Sequence, residues 1–138
     1  EGYLKVCGKK SIDYDMIARD VMEMAEHLRI LQIGYDSYKA NEFINMLGSL
    51  GGAQYLQAFG QTYGNFTSPV QTFEKCLLDD RLTLNANPIN AFCFDNAILD
   101  EDRLENKKPI KRSAAKKIDG VITALMTMGE FNNYVRHQ

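Results

Sequence analysis

Apolar residues recur along this chain at two spacings, one typical of helices and one typical of strands. Between residues 17 and 28 they follow at intervals of four, three and four positions, which predicts the apolar face of a helix. The run at 31–35, Leu-Gln-Ile-Gly-Tyr, comes directly after that helix and predicts a short buried strand. Residues 3–7 alternate and predict an earlier strand. The chain therefore begins as strand, helix and strand, for which a parallel, right-handed crossover is expected.

The remaining pattern predicts further alternation of helices and strands, which indicates the α/β class. Ser68 followed by Pro69 is a strong helix start after a loop rich in glycine and hydroxyl groups. Ser113 is expected to cap the last helix. The other predicted elements are a helix over 39–50, a strand over 55–59 and a helix that begins at Asn87 and Pro88.

Asp36 is the residue that directly follows the predicted strand at 31–35. Ligands and metal ions collect at the carboxyl ends of strands in open α/β sheets, so a carboxylate there is well placed for chemistry. Aspartate also caps helices often, and a helical pattern follows. Both interpretations of Asp36 stay open on spacing alone.

Composition places the chain among ordinary globular proteins. Its 138 residues are 45% hydrophobic and 25% charged, which suits one domain with one core. No apolar run approaches the roughly 20 residues of a membrane span, so no membrane association is expected. The 3 cysteines are an odd number and are far apart, which argues against a disulfide framework or a zinc site and favours a reducing, cytoplasmic setting.

The net charge of −2 hides a strongly basic segment. Residues 103–117 contain seven lysines and arginines but one acid, Glu105. A dense basic segment on an otherwise acidic chain predicts an edge that binds anions. A solvated loop with no ligand is the alternative.

Several short motifs occur along the chain in an order that resembles one family. They are Ile-Gly-Tyr-Asp at 33–36, Gln61 before Thr-Ser-Pro at 67–69, Asn-Pro at 87–88, Lys-Pro at 108–109 with Lys111, and Lys-Ile-Asp-Gly at 117–120. Together they resemble the C-terminal nuclease domain of the large terminase subunits of tailed phages, the motors that package DNA. The resemblance spans about residues 3–129.

The resemblance implies a fold, an activity and a site. The fold would be a partial RNase H-like α/β domain over residues 1–138, with three layers and helices on both faces of a mixed sheet. The activity would be a metal-dependent endonuclease that cuts concatemeric viral DNA. Asp36 and Asp119 would be catalytic and would bind Mg²⁺ or Mn²⁺, as a two-metal site in the complete domain. Lys111 and Lys117 would contact DNA phosphates.

The same resemblance implies partners and a location. Double-stranded DNA, the portal protein and the small terminase subunit would be partners, in the cytoplasm of a host that carries the phage or prophage. Another RNase H-like nuclease of the resolvase or transposase type, and a non-catalytic docking module of the packaging motor, are the alternatives. A nucleotide- or sugar-binding α/β domain is a further one.

The chain departs from the family pattern at its start. The family has a further acid on an earlier strand, and residues 3–7 contain neither Asp nor Glu. We therefore expect the chain to lack its first strand, to be a poor nuclease by itself, and to self-associate through an unpaired strand edge or to pair 3–7 with 31–35.

Overall fold

Residues 2–137, the part of the chain that this computed structural model describes, contain five α-helices and four short strands. The chain divides into a first unit over residues 2–60 and a second unit from residue 61 onward. The first unit contains α1 (Tyr14–His27), β1 (Ile33–Tyr35), α2 (Asn41–Ser49), a short 3₁₀ turn (Ala53–Tyr55) and β2 (Leu56–Ala58). The second contains α3 (Tyr63–Leu78), α4 (Pro88–Asp95), β3 (Ala97–Glu101), β4 (Lys107–Lys111) and α5 (Asp119–Arg136).

The first unit follows its local sequence signals. Asp13 caps α1, since its side chain accepts a hydrogen bond from the Met16 amide at 3.1 Å. β1 and β2 pair in parallel, and α2 makes the connection between them. Ala18 of α1 and Leu47 of α2 are completely buried and form the centre of this unit. The predicted helices and the strands around 31–35 and 55–59 are confirmed, with shorter strands.

The strand predicted at residues 3–7 is absent from the structure. Tyr3, Leu4 and Val6 are 55%, 71% and 77% exposed, and the segment does not pair with β1. An alternating pattern forms a strand only where a neighbouring strand accepts its hydrogen bonds and buries one face. The predicted strand, and its pairing with 31–35, are therefore wrong, and the parallel crossover connects β1 with β2.

The second unit is built around the packing of α3 against α5 and β4. Its core contains Phe66, Val70, Val121 and Leu125, all 5% exposed or less. β3 and β4 form an antiparallel hairpin in which Ala97 lies opposite Lys111. The predicted starts of two helices in this unit are wrong, and the hairpin had not been predicted.

Helix α3 begins at Tyr63 and not at Ser68. Thr62 is the cap, because its hydroxyl accepts a hydrogen bond from the Asn65 amide at 3.2 Å. Gly64 and Asn65 are weak helix formers and had suggested a loop. The complete burial of Phe66 favours the helical conformation there, and Pro69 lies within the helix.

Helix α5 begins at Asp119 and not after Ser113. Residues 113–116 form a turn instead, closed by a hydrogen bond from the Lys116 amide to the Ser113 carbonyl at 3.0 Å. The basic segment before it, for which no strand had been predicted, contributes β4, with Pro109 buried inside that strand. Among the described residues no helix is both long and apolar enough to cross a membrane.

Candidate functional site

Asp36 lies at the carboxyl end of β1 in the first unit. Its backbone position is fixed by the parallel pair, which the hydrogen bond from the Phe59 amide to the Tyr35 carbonyl at 2.8 Å extends by one residue. One carboxylate oxygen, Oδ1, accepts the Tyr38 amide at 2.9 Å. Ala40 occupies the N-cap position of α2, so the interpretation of Asp36 as the cap of the next helix is wrong. The Asp36 side chain is exposed and is oriented by its own turn.

Asp119 is the first residue of α5 in the second unit, and its side chain is exposed. Ile118 precedes it at the N-cap position and cannot supply a side-chain hydrogen bond to the first turn. Ile118 is instead buried at 5% exposure and accepts the Val121 and Ile122 amides with its carbonyl. The positive end of the helix dipole favours a carboxylate at the Asp119 position.

The two residues predicted to bind metal lie in different units, Asp36 in the first and Asp119 in the second. Within residues 2–137 no group of three or more His, Cys, Asp or Glu side chains is arranged to hold a metal ion. The sharing of a metal site by Asp36 and Asp119 therefore stays a prediction. Each residue separately has the exposure that metal binding requires.

The basic segment divides into engaged and exposed side chains. The Lys108 ammonium donates to the Gln61 carbonyl at 2.7 Å and lies 5.8 Å from the centre of the Tyr63 ring. The Arg112 guanidinium donates through Nε to the Asp95 carbonyl at 2.8 Å. Lys111 at the end of β4 and Lys117 before α5 are exposed. The two lysines predicted to contact phosphate are thus open to solvent.

A polar cluster that joins α3 to the hairpin was missed by the sequence analysis. The Tyr63 hydroxyl donates to Asp100 Oδ2 at 2.5 Å, and this hydrogen bond, together with burial, raises the pKa of the phenol. The Thr67 hydroxyl accepts the Lys107 amide at 2.9 Å and donates to the Tyr63 carbonyl at 2.8 Å. This cluster holds the basic strand β4 on α3. Tyr63 and Asp100 are 37 residues apart, so no local pattern connects them.

Asn96 was missed for the same reason. It is a buried residue between α4 and β3, and its side-chain amide donates to the Lys117 carbonyl at 3.2 Å. The contact spans 21 residues and reaches the segment that leads into Asp119. An asparagine after a helix has no sequence signal that distinguishes this role from an ordinary helix end.

Comparison of the chain with known proteins identifies its family. The family model described as "Terminase large subunit, endonuclease domain" matches residues 2–134, a range that includes both units and both aspartates. The chain belongs to the family of terminase large-subunit endonuclease domains.

Two individual relatives are similar to parts or all of this chain. The large terminase subunit of Enterobacteria phage HK97 is 27% identical over 138 residues, which cover 100% of this chain and 27% of that protein. Protein YmfN of Escherichia coli (strain K12) is 30% identical over 71 residues, which cover 50% of this chain and 16% of that protein. The chain thus spans little more than a quarter of the phage relative.

A solved structure supports the fold. The crystal structure of the HK97 bacteriophage large terminase matches with a TM-score of 0.83 and 26% identity, over 94% of this chain and 27% of that one. This match confirms the predicted RNase H-like, partial α/β fold. The strands within residues 2–137 form two small sheets, a parallel pair and an antiparallel pair.

Proposed function

We propose that this chain provides the nuclease site of a terminase large subunit that cuts concatemeric viral DNA during genome packaging. The observation that carries the proposal is the family match over residues 2–134, which contains the exposed Asp36 and Asp119 in their motifs. Family membership favours this function over that of a resolvase or transposase. Because the chain spans 27% of its phage relative, the activity is proposed for the full-length protein.

Asp36 and Asp119 are proposed as catalytic residues that hold Mg²⁺ or Mn²⁺. Both are exposed carboxylates, and oxygen ligands are those that these hard cations prefer. Two side chains are few, but such ions keep several waters and take further contacts from substrate phosphate. The donor chemistry of this chain therefore fits the ion. A bound divalent pair would supply Lewis-acid stabilisation to the phosphodiester under attack.

The two aspartates have different surroundings. The Tyr38 amide fixes one oxygen of Asp36 and leaves the other available to a ligand. The first turn of α5 places Asp119 at a helix N-terminus, where negative charge is stabilised. The Tyr38 contact would orient the Asp36 carboxylate before metal and DNA bind, and the helix would fix the backbone of Asp119.

Double-stranded DNA is the proposed substrate, held by Lys111 and Lys117 through its phosphates. Both lysines are exposed, and they lie at the two ends of the turn before α5. Such contacts position DNA without reading its sequence. The portal protein and the small terminase subunit are proposed as partners, and the host cytoplasm as the location, on the basis of family membership.

The test is cleavage of supercoiled plasmid by the full-length protein. We expect nicked and linear products with Mn²⁺ or Mg²⁺ and none with EDTA. Asp36→Asn and Asp119→Asn should each lower the rate by more than the roughly 10- to 100-fold typical of residues outside the ligand shell. Asp79→Asn, at an exposed position that ends α3, is the matched control and should cleave normally. An inert wild-type protein, as expected of a docking module, would refute the proposal.

A further inference from the structure

One buried residue contacts both ends of the segment that leads into Asp119. We name residues 112–118 the approach segment. The backbone carbonyl of Asn96 accepts the Arg112 amide at 2.9 Å, at the start of this segment. The side-chain amide of the same residue donates to the Lys117 carbonyl at 3.2 Å, near its end. Asn96 is 5% exposed, so neither contact competes with bulk water.

Asn96 is itself held by regular structure on both sides. It is the C-cap residue of α4, where its backbone amide donates to the Cys93 carbonyl at 3.3 Å. β3 begins at the next residue, Ala97, which pairs with Lys111 at the end of β4. The hydrogen bond between Asn96 and Arg112 therefore continues the ladder of the hairpin by one step. The donor that reaches Lys117 projects from a fixed backbone.

Helix α4 also lies directly against the first turn of α5. A Cβ atom placed on Gly120 would lie 2.9 Å from the Asn90 Oδ1 atom and 3.3 Å from the Cys93 sulfur. A larger residue at position 120 would therefore require the Asn90 side chain to turn away and Cys93 to shift by a few tenths of an ångström. Asp119 precedes this glycine, so the position of its backbone depends on α4 and on the residue that ends α4.

The start of α5 needs such support because it lacks a capping side chain. Ile118 occupies the N-cap position and makes no side-chain hydrogen bond to the first turn. Polar caps normally fix the entry of the chain into a helix. Here the contact from Asn96 to Lys117 restrains the chain one residue before the cap.

We propose that Asn96 is a positioning residue for Asp119, which it orients by fixing the approach segment. This inference rests on the proposed function, in which Asp119 binds metal. Without the Asn96 amide, the Asp119 carboxylate would sample more positions, and a misplacement of about 1 Å can cost about 100-fold in rate. Lys117 belongs to the same segment, but its ammonium lies at the end of a flexible side chain that can still reach a phosphate, so DNA affinity should change little.

The experiment compares Asn96→Ala and Asn96→Asp in the full-length protein. Alanine removes the donor without adding charge, while aspartate keeps the shape of the side chain and replaces the donor with an acceptor. Asn133→Ala, at an exposed position of α5, is the matched control. Mn²⁺ affinity is measured by electron paramagnetic resonance, and kcat and KM for plasmid cleavage are measured on samples shown to be folded by circular dichroism.

We expect about 10-fold weaker Mn²⁺ binding and about 10- to 100-fold lower kcat in both Asn96 variants, with KM for DNA unchanged within about twofold. Unchanged Mn²⁺ affinity and kcat in the folded variants would overturn the inference, while leaving the proposed function intact. A parallel fall in Mn²⁺ binding and DNA binding would also overturn it, because it would indicate general destabilisation. Should the alanine variant fail to fold, the aspartate variant decides. Failure of the wild type to bind Mn²⁺ or cleave would refute both proposals.

Discussion

The salt dependence of DNA binding gives a quantitative test of the two exposed lysines. Lys111 and Lys117 are exposed at the ends of the turn that precedes α5. If each contacts one phosphate, their joint replacement by alanine removes two phosphate contacts. Each contact contributes about 0.9 to the slope of log affinity against log salt, so the slope should fall by about 1.8.

The slope converts directly into an affinity ratio. When salt is lowered from 200 mM to 50 mM, the affinity of both proteins for DNA should rise. The fold-increase should be about 12 times larger for the wild type than for the double variant, since four to the power 1.8 is about 12. Fluorescence anisotropy with a labelled duplex of random sequence, at several salt concentrations and without divalent metal, measures both slopes.

A charge-matched control separates local contacts from net charge. Lys9 and Lys10 are exposed lysines of the first unit, outside the basic segment. Their joint replacement by alanine changes the net charge equally and should leave the slope within about 0.5 of the wild-type value. Equal slopes in wild type and the Lys111 and Lys117 variant would show that these two side chains are a solvated surface and would refute the assignment.

Three further predictions concern stability and association. Burial raises the pKa of Glu130, so the protonated carboxyl stabilises the fold, and this stability is lost as pH rises from about 4 through the folded-state pKa. Glu130→Gln should therefore raise Tm more at pH 8 than at pH 5. Glu74→Gln, at an exposed position, is the control and should show no such difference. Phe66→Ala removes a completely buried ring and should cost about 3 to 5 kcal/mol of unfolding free energy in urea, where a loss below about 1 kcal/mol would contradict the described core. Among the described strands β1 pairs with β2 alone, which leaves one edge of β1 unpaired. Light scattering of the isolated chain should therefore detect concentration-dependent self-association. A monomer at every concentration would refute that expectation.

The elements that could be predicted from sequence are those whose signals are local. Asp13 caps α1, and Asn87 caps α4 by accepting the Ile89 amide at 2.9 Å, so both starts follow from short side-chain contacts. Apolar runs located β1 and β2 for a similar reason. The hairpin escaped prediction because a lysine-rich segment that contains Pro109 resembles a loop. Its stability comes from packing of β4 on α3, which no local pattern shows.

The residues of the candidate site also fall into two groups, those with a signal in the nearby sequence and those without one. Asp36 could be proposed from its position after a predicted strand, and Asp119 from the resemblance of its Lys-Ile-Asp-Gly motif to the family pattern. Asn96 and Tyr63 could not, because their partners lie 21 and 37 residues away. Pairing over such distances is a consequence of the tertiary fold, in which α4 is brought against α5 and the hairpin against α3.

Anomalous diffraction from crystals of the full-length protein soaked in Mn²⁺ would show whether Asp36 and Asp119 bind metal. We expect anomalous peaks next to the carboxylates of both Asp36 and Asp119, at about 2.1 Å, close to the distance at which Mg²⁺ binds oxygen. The peak next to Asp119 should disappear in Asp119→Asn crystals prepared in the same way. Peaks on other acids, with Asp36 and Asp119 both unoccupied at saturating Mn²⁺, would contradict the assignment of these two residues as the metal ligands of the nuclease.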